Sequence, residues 1–445
     1  MKVLLLENIS AVAVEQFRAA GYDVEAHKSA LEERDLIEKI RRVSILGVRS
    51  KTRVSAAVIE TALSIPPSRK NGEKGGATPS STSEISQVSQ IQRDPSTGSG
   101  QALGHPTFSS PVLLAIGAFC IGVDKIDTKL AGERGIAVFN DPHSNSRSVA
   151  ELVMGEIIML LRRTFQASSE MHTGVWNKSA AGAHEVRGLT LGIVGYGKIG
   201  SQLSDLAEAM GMRVIFYDTA HVLARGNARG VSFQELLQTA DVVTLHVDGK
   251  KENQDLFGDQ EFRAMKDGAC FLNLSRGFVV DHDALAAHIK TGKIAGAAID
   301  VFPKEPESGA GFKSVLQGLP NVILTPHVGG STEEAQQNIG SFVSAKLLDY
   351  VNTGDSTLSV NLPQSHLEYE EGSYRLMHIH QNVPGILRAI NDILGDRGIN
   401  IERQALNTRG NLGYAIYDIN RPCDAELMAL LRAVPHTIAV RAKGC

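Results

Sequence analysis

The sequence predicts an α/β protein of two doubly wound parallel-sheet domains followed by a smaller C-terminal module of the βαββαβ plan. Three observations carry this. Short apolar strands alternate with helical patterns from Met1 to Ser64 and again from Leu189 to His327, and after Tyr374 two strands follow one another directly. At 445 residues the chain exceeds what one core organises, so two or three domains are expected. Apolar residues at 42% and charged residues at 21% supply buried cores and a hydrated surface, which removes the collagen-like, coiled-coil and wholly disordered classes.

The first domain is expected over 1–144, completed by 331–365. It opens as strand VLLLEN, helix AVEQFRAAGY, strand DVEAH, helix ALEERDLIEKIRR, strand VSILGVRS and helix SAAVIETALS. From 65 to 111 the chain is rich in Ser, Gly, Thr and Pro without apolar period, and reads as disordered. It is taken as a non-functional insertion, such as an untrimmed intron, in preference to an interaction tether, because it offers no charge block, aromatic anchor or helix. Closure entropy grows only logarithmically with loop length, so the fold tolerates it. A strand resumes at Val112–Ile116, followed by a helix near Asp127–Arg134, strand IAVFND and a long helix from near Ser148 to Leu161.

The second domain, 145–330, carries strands LTLGIV, RVIFYD, DVVTLHV, CFLNLS, AGAAIDVF and NVILTP. A helix from about Thr332 to Val351 and a polar connector, Asn352–Ser373, lead to the third module at 373–445. Its order is strand RLMHIHQN, helix GILRAINDILGDRG, strands INIERQALNT and LGYAIYDIN, helix AELMALLRAV and strand HTIAVRA, the ferredoxin-like plan.

Lys plus Arg number 45 against 49 Asp plus Glu, a formal charge of -4, so there is no basic excess and no nucleic-acid partner is expected. Cys120, Cys270, Cys423 and Cys445 show no CxxC spacing; neither a disulfide framework nor a zinc site is expected, and a reducing, cytoplasmic setting fits. The start, MKVLLLENIS, reads as a buried strand, since Glu7 interrupts the apolar run too early for a signal segment. No apolar run approaches the roughly 20 residues of a membrane span, so no membrane partner is expected.

Gly195, Gly197 and Gly200 spell G-x-G-x-x-G between strand LGIV and a helix, the context in which glycines let backbone N–H groups approach a pyrophosphate at the helix N-terminus. Asp218 ends the next strand, where a carboxylate accepts from both ribose hydroxyls. It would repel a 2′-phosphate, and Thr219, Ala220 and His221 bring no arginine, so NAD is expected over NADP. A P-loop is excluded because Lys198 lacks the following Ser or Thr. Arg276, Glu305 and His327 stand at or beyond strand C-terminal ends, where open α/β sheets bind ligands. A guanidinium clamps a carboxylate, and an imidazole beside a carboxylate accepts a proton near neutral pH. Arg49, Ser50 and Lys51 end an earlier strand with two cations and a hydroxyl, a set that suits a phosphate.

GxGxxG, SRG, DVFPKEP and TPHVGG, in this order, resemble the D-isomer-specific 2-hydroxyacid dehydrogenases, and in particular their phosphoglycerate-oxidising branch, over nearly the whole chain outside the insertion. The resemblance implies a flavodoxin-like substrate domain, a Rossmann NAD domain and a C-terminal ACT regulatory domain. It implies NAD-dependent oxidation of 3-phospho-D-glycerate to 3-phosphohydroxypyruvate, the first step toward L-serine, with 2-oxoglutarate reduction as a side activity. Carried over by motif, Arg276 holds the substrate carboxylate, His327 paired with Glu305 takes the hydroxyl proton, and Asp300 lies near the nicotinamide amide. Lys198, Ile199, Leu274, Ser275, Gly329 and Gly330 join the cofactor shell, and Asn145 and Lys178 join Arg49, Ser50 and Lys51 at the substrate. HIHQNVPGIL followed by GIN resembles the serine-sensing ACT form, which assigns His380, Asn382 and Asn400 to L-serine as effector. The pair His378 and His380 lacks supporting carboxylates or cysteines, so no metal is expected. A homotetramer accords with ACT pairing. Two alternatives stay open: a hydroxypyruvate or glyoxylate reductase of the same family, and an NAD-binding regulator without turnover.

Overall fold

The structure, a computed structural model, describes residues 1–64, 113–306 and 309–444; the 65–111 insertion lies outside the described residues. Two compact units emerge, Met1–Asp141 with Gly340–Cys445, and Pro142–Ile339.

The first unit contains a sheet of β1 (Lys2–Leu5), β2 (Asp23–Ala26), β3 (Ile45–Val48), β4 (Ala115–Ala118) and β5 (Ala137–Asn140). All neighbours are parallel and the order is β2-β1-β3-β4-β5, the flavodoxin-like arrangement. Helices cover both faces, so β3 and β4 are buried at every position, which explains why they read as continuous apolar runs and not as alternation. The strand expected from Val112 begins at Ala115, although Leu114 N already donates to Ser44 O at 2.8 Å.

The Pro142–Ile339 unit contains β6 (Thr190–Val194), β7 (Arg213–Tyr217), β8 (Arg229–Gly230), β9 (Val242–Leu245), β10 (Ala269–Asn273), β11 (Ile294–Ile299) and β12 (Val322–Leu324). The order is β12-β11-β10-β9-β6-β7-β8, all parallel, with the reversal beside β6 that defines a dinucleotide fold. The long helix runs Ser146–Leu161, starting slightly before the expected Ser148, and buries Val149, Val153, Ile157 and Leu160 in the core. Helix Thr164–His172 and the short β8 were not anticipated; that helix buries no residue, so no apolar period announces it.

The C-terminal module forms the antiparallel sheet β14-β15-β13-β16 from β13 (Tyr374–Gln381), β14 (Ile401–Arg409), β15 (Leu412–Ile419) and β16 (Thr437–Lys443). Helices Ile386–Asp396 and Ala425–Ala433 pack on one face over Leu376, Tyr417 and Val440. The other face docks on elements of its own compact unit. Tyr414 Oη donates to Gly354 O at 2.7 Å, the Arg441 guanidinium lies 4.2 Å from the Tyr350 ring centroid, and the fully buried Arg375 satisfies its whole donor fork. Arg375 pairs both Asp418 oxygens at 2.7 and 2.9 Å and donates to Thr353 O, Leu367 O and Glu368 O at 2.8–2.9 Å. Arg375→Met would remove the partner of three backbone carbonyls and weaken the hold on Asp418, so a loss of about 3 kcal/mol is expected, read as a lower chemical-denaturation midpoint.

The connector after helix Glu333–Thr353 is polar in sequence yet hugs the first sheet. Ser356, Ser359, Leu362 and Ser365 are buried, and Val360 N donates to Val138 O at 2.9 Å. Burial of its serines is met by hydrogen bonds: Ser356 Oγ donates to Pro363 O at 2.7 Å, Ser359 Oγ to Val138 O at 3.3 Å, and Ser365 Oγ accepts from Asn407 Nδ2 at 3.3 Å.

Candidate active site

The nucleotide turn follows β6. Gly195 has φ +92, and a Cβ there would sit 2.6 Å from His246 O; a Cβ on Gly200 would sit 2.4 Å from Gly195 O. Those two glycines are demanded by the turn itself. Gly197 is different: a Cβ would meet nothing within 4 Å, so packing within the chain does not demand glycine there, and its bare backbone leaves room for a ligand. Gly197 provides no side-chain cap for helix Lys198–Ala209, so the first-turn N–H groups of Lys198 and Ile199 suit an anion. Asp218, just past β7, is fixed by Tyr196 N donating at 2.7 Å to Oδ2 and Ala220 N at 2.8 Å to Oδ1. It lines a pocket with Phe216, Ala220, His221, Val222 and Glu235. These residues fit an adenosine ribose and pyrophosphate.

Beyond β10, Asn273 organises the SRG segment. Its Oδ1 accepts from Ser275 N at 3.0 Å and Ser275 Oγ at 2.7 Å, while its Nδ2 donates to Arg276 O at 3.0 Å. Leu274 and Ser275 are buried. Gly277 lets this segment touch the one after β11, since a Cβ would fall 2.0 Å from the Phe302 carbonyl carbon. Glu305 then turns back, accepting from Phe302 N at 3.3 Å.

His327 meets Glu305 directly. Its Nδ1 lies 2.8 Å from Oε2 and 3.0 Å from Oε1, with the ring half exposed. The Glu305 hydrogen bond raises the imidazole above the ordinary histidine range, against burial, which works the other way. Burial alone would raise Glu305, but the His327 hydrogen bond and charge, Phe302 N–H and the Arg276 charge together hold it below the ordinary range. Arg276 thus acts electrostatically on both partners. With Nδ1–H donating to Glu305, Nε2 keeps a lone pair, the arrangement of an oriented general base.

His327 sits at φ +55, a left-handed conformation that β12 and its loop must enforce. Asp300, buried at the end of β11, does so. Its carboxylate accepts from Thr325 Oγ1 at 2.6 Å, Val328 N at 2.8 Å and Gly329 N at 2.8 Å, and its own carbonyl accepts from His327 N at 2.8 Å. Asn145 packs its amide against Gly330, where a Cβ would lie 2.2 Å from Nδ2, and Ser148 Oγ meets Thr332 Oγ1 at 2.9 Å. Glu156, buried in the same helix, is pushed up to about 8 by burial and then by Asp300.

Residues 154–329 match the family described as D-isomer specific 2-hydroxyacid dehydrogenase, NAD binding domain, and residues 3–66 match the catalytic domain of the same family. Residues 376–441 match an AHAS small subunit-like ACT domain. The chain is 45% identical, over 99% of its length and 86% of the relative's, to D-3-phosphoglycerate dehydrogenase 2 of Saccharomyces cerevisiae. It is 43% identical to the D-3-phosphoglycerate dehydrogenase of Escherichia coli, over 99% of this chain and 97% of that one. The chain belongs to the D-isomer-specific 2-hydroxyacid dehydrogenases. A solved D-lactate dehydrogenase from Sporolactobacillus is similar in structure, with TM-score 0.61, 29% identity, 81% of this chain and 99% of that chain covered. As in this family, the Pro142–Ile339 unit is an NAD-binding domain and the C-terminal sheet an ACT domain.

The remaining expected residues of this dehydrogenase fall in three places. Arg49, Ser50 and Lys51 follow β3, with Ser50 and Lys51 exposed. Lys178 lies in the exposed stretch after helix Thr164–His172. In the ACT sheet, His380 is buried beneath β15, its Nδ1 3.2 Å from that of His378, and burial lowers both imidazoles, His378 to about 4. Asn382 pairs with Asn411 just before β15, whereas Asn400 pairs with Asn420 just beyond its end, so one chain holds the two residues about 30 Å apart, the length of the strand between them. Among the described residues no group of three or more His, Cys, Asp or Glu is placed to hold a metal, and no helix is long and apolar enough to cross a membrane. Asn273 escaped the sequence reading; a polar residue at the end of the apolar run CFLN was its signal.

Proposed function

We propose that this dehydrogenase oxidises 3-phospho-D-glycerate to 3-phosphohydroxypyruvate with NAD, the step that opens L-serine synthesis. The observation that carries this reading is His327 bonded to Glu305 within the field of Arg276, in a chain so similar to named phosphoglycerate dehydrogenases. His327 Nε2 takes the proton of the C2 hydroxyl, and Glu305 steadies the imidazolium that results. Arg276 binds the C1 carboxylate through its fork and places C2 beside His327. When bound, NAD supplies the acceptor for the hydride that leaves C2. Asp300 keeps the His327 loop closed in its left-handed turn, and Asn145 supports Gly330 behind it.

Arg49 and Lys51 hold the phosphate, with Ser50 donating its hydroxyl and Lys178 adding charge. Arg49→Ala or Lys51→Ala is expected to raise KM for 3-phosphoglycerate at least about tenfold, the value of one charge-assisted bond, with a smaller change in kcat. L-serine is the proposed effector, bound by His380 and Asn382 of one chain and Asn400 of another, since a single chain separates the two amides. A homotetramer accords with this and with the exposed Phe165, Met171, Val175 and Trp176 of the Pro142–Ile339 unit. The free thiols of Cys120 and Cys270 accord with a cytoplasmic location.

NADH absorbance decides the reading. NADH formation with 3-phosphoglycerate, slowed by titrated L-serine, is the expected result. Turnover confined to glyoxylate or hydroxypyruvate would assign the reductase alternative, and NADH binding without turnover on any of these would assign a regulator.

A further inference from the structure

We infer that Glu7 is a positioning residue for substrate phosphate: its buried carboxylate fixes the backbone of Arg49–Thr52, the turn that carries the Arg49 and Lys51 side chains. The inference rests on the reading of Arg49 and Lys51 given under Proposed function. Glu7 is 7% exposed, and its Oε1 accepts from Arg49 N at 3.1 Å and Thr52 N at 2.8 Å while Oε2 accepts from Lys51 N at 2.9 Å. Three N–H groups of one short turn therefore converge on a single carboxylate. The parallel register that sets Leu5 beside Gly47 brings Glu7 level with Arg49.

The geometry is held at a cost. Glu7 and Asn8 have φ of +63 and +54, two successive left-handed residues that are not glycine. Glu7 N donating to Ser29 O at 3.1 Å and Asn8 N to His27 O at 3.0 Å secure them. Such strain persists where the surroundings enforce it, and it serves here to swing the carboxylate from the end of β1 behind the turn after β3. Two chemical consequences follow. The amides of residues 49, 51 and 52 are already committed, so a phosphate meets side chains and not a backbone nest. The carboxylate also lies behind a turn whose side chains at 49, 51 and 53 are all cationic, and so favours their charge.

Glu7→Gln tests this in the full-length chain. The amide nitrogen cannot accept, so at least one of the three N–H groups loses its partner. KM for 3-phosphohydroxypyruvate is expected to rise about tenfold with kcat within about threefold, while KM for unphosphorylated hydroxypyruvate and NADH affinity by fluorescence stay unchanged. A general loss of folding would instead lower kcat for both substrates. Arg49→Ala and Lys51→Ala serve as references. If they raise KM for the phosphorylated substrate and Glu7→Gln does not, the positioning role is overturned; if neither of them raises it, the phosphate reading itself falls. Should Glu7→Gln fail to fold, hydrogen exchange of the wild-type chain decides: slow exchange at the amide of Lys51, whose residue is exposed, supports the role, and fast exchange there refutes it.

Discussion

His327→Asn is expected to lower kcat about 10³-fold with NADH affinity intact, the loss typical of removing a positioned general base. Asparagine is the informative replacement because it tolerates the left-handed φ of +55 better than alanine, so the loop keeps its path while the imidazole is lost. The pH dependence gives a second, independent signature. Oxidation needs His327 neutral, and the Glu305 hydrogen bond holds its pKa above the ordinary 6.5. kcat/KM for oxidation should therefore rise with pH through a value higher than that of a free histidine. Glu305→Gln removes the largest cause of the shift, so the rise should move to lower pH. Reduction needs the imidazolium, which the same variant holds less well, so its rate near neutral pH should fall by more than about tenfold. An oxidation profile unmoved by Glu305→Gln would show that the pair has no part in proton transfer.

Asp300→Ala is expected to be the most damaging single change to the loop that carries His327. It strands Val328 N, Gly329 N and the Thr325 hydroxyl, all of which donate to one buried carboxylate. Hydrogen bonds to a buried charge are individually worth roughly 1.5–3 kcal/mol, so a total loss of about 3 kcal/mol is a conservative expectation. Without those ties the left-handed His327 keeps only its backbone bonds to Asp300 O and Thr325 O, and kcat should fall about a hundredfold even in the folded fraction, because a misplaced imidazole no longer meets C2. Asp300→Asn retains one acceptor and should lie between the two. Equal denaturation midpoints for wild type and Asp300→Ala would refute the anchoring role.

The site was legible where chemistry follows from short-range pattern. Gly195, Gly197, Gly200 and Asp218 stand out because a tight turn, a helix start and a strand end are encoded within a few residues of one another. Arg276, Glu305 and His327 stand out because strand ends in an alternating α/β pattern are where ligands bind. Helix Thr164–His172 was missed for the opposite reason: with no buried face it has no period.

What the linear chain determined by itself is the order of strands and helices, the kind of each sheet and the residue types at strand ends, all consequences of local periodicity and turn chemistry. Tertiary structure alone decided which polar groups serve others. Glu7, read from sequence only as a break in an apolar run, became the support of Arg49–Thr52 because parallel pairing of β1 with β3 brings distant residues level. Asp300, placed by motif near the cofactor, proved to be the anchor of the His327 loop, since β11 and β12 lie side by side. Asn382 and Asn400, neighbours in role by resemblance, are held at opposite ends of β15 because β13 and β14, both antiparallel to it, run in the same direction, which separates the end of one from the start of the other. Side-chain to backbone bonds of this kind depend on strand register, which no local stretch of sequence specifies.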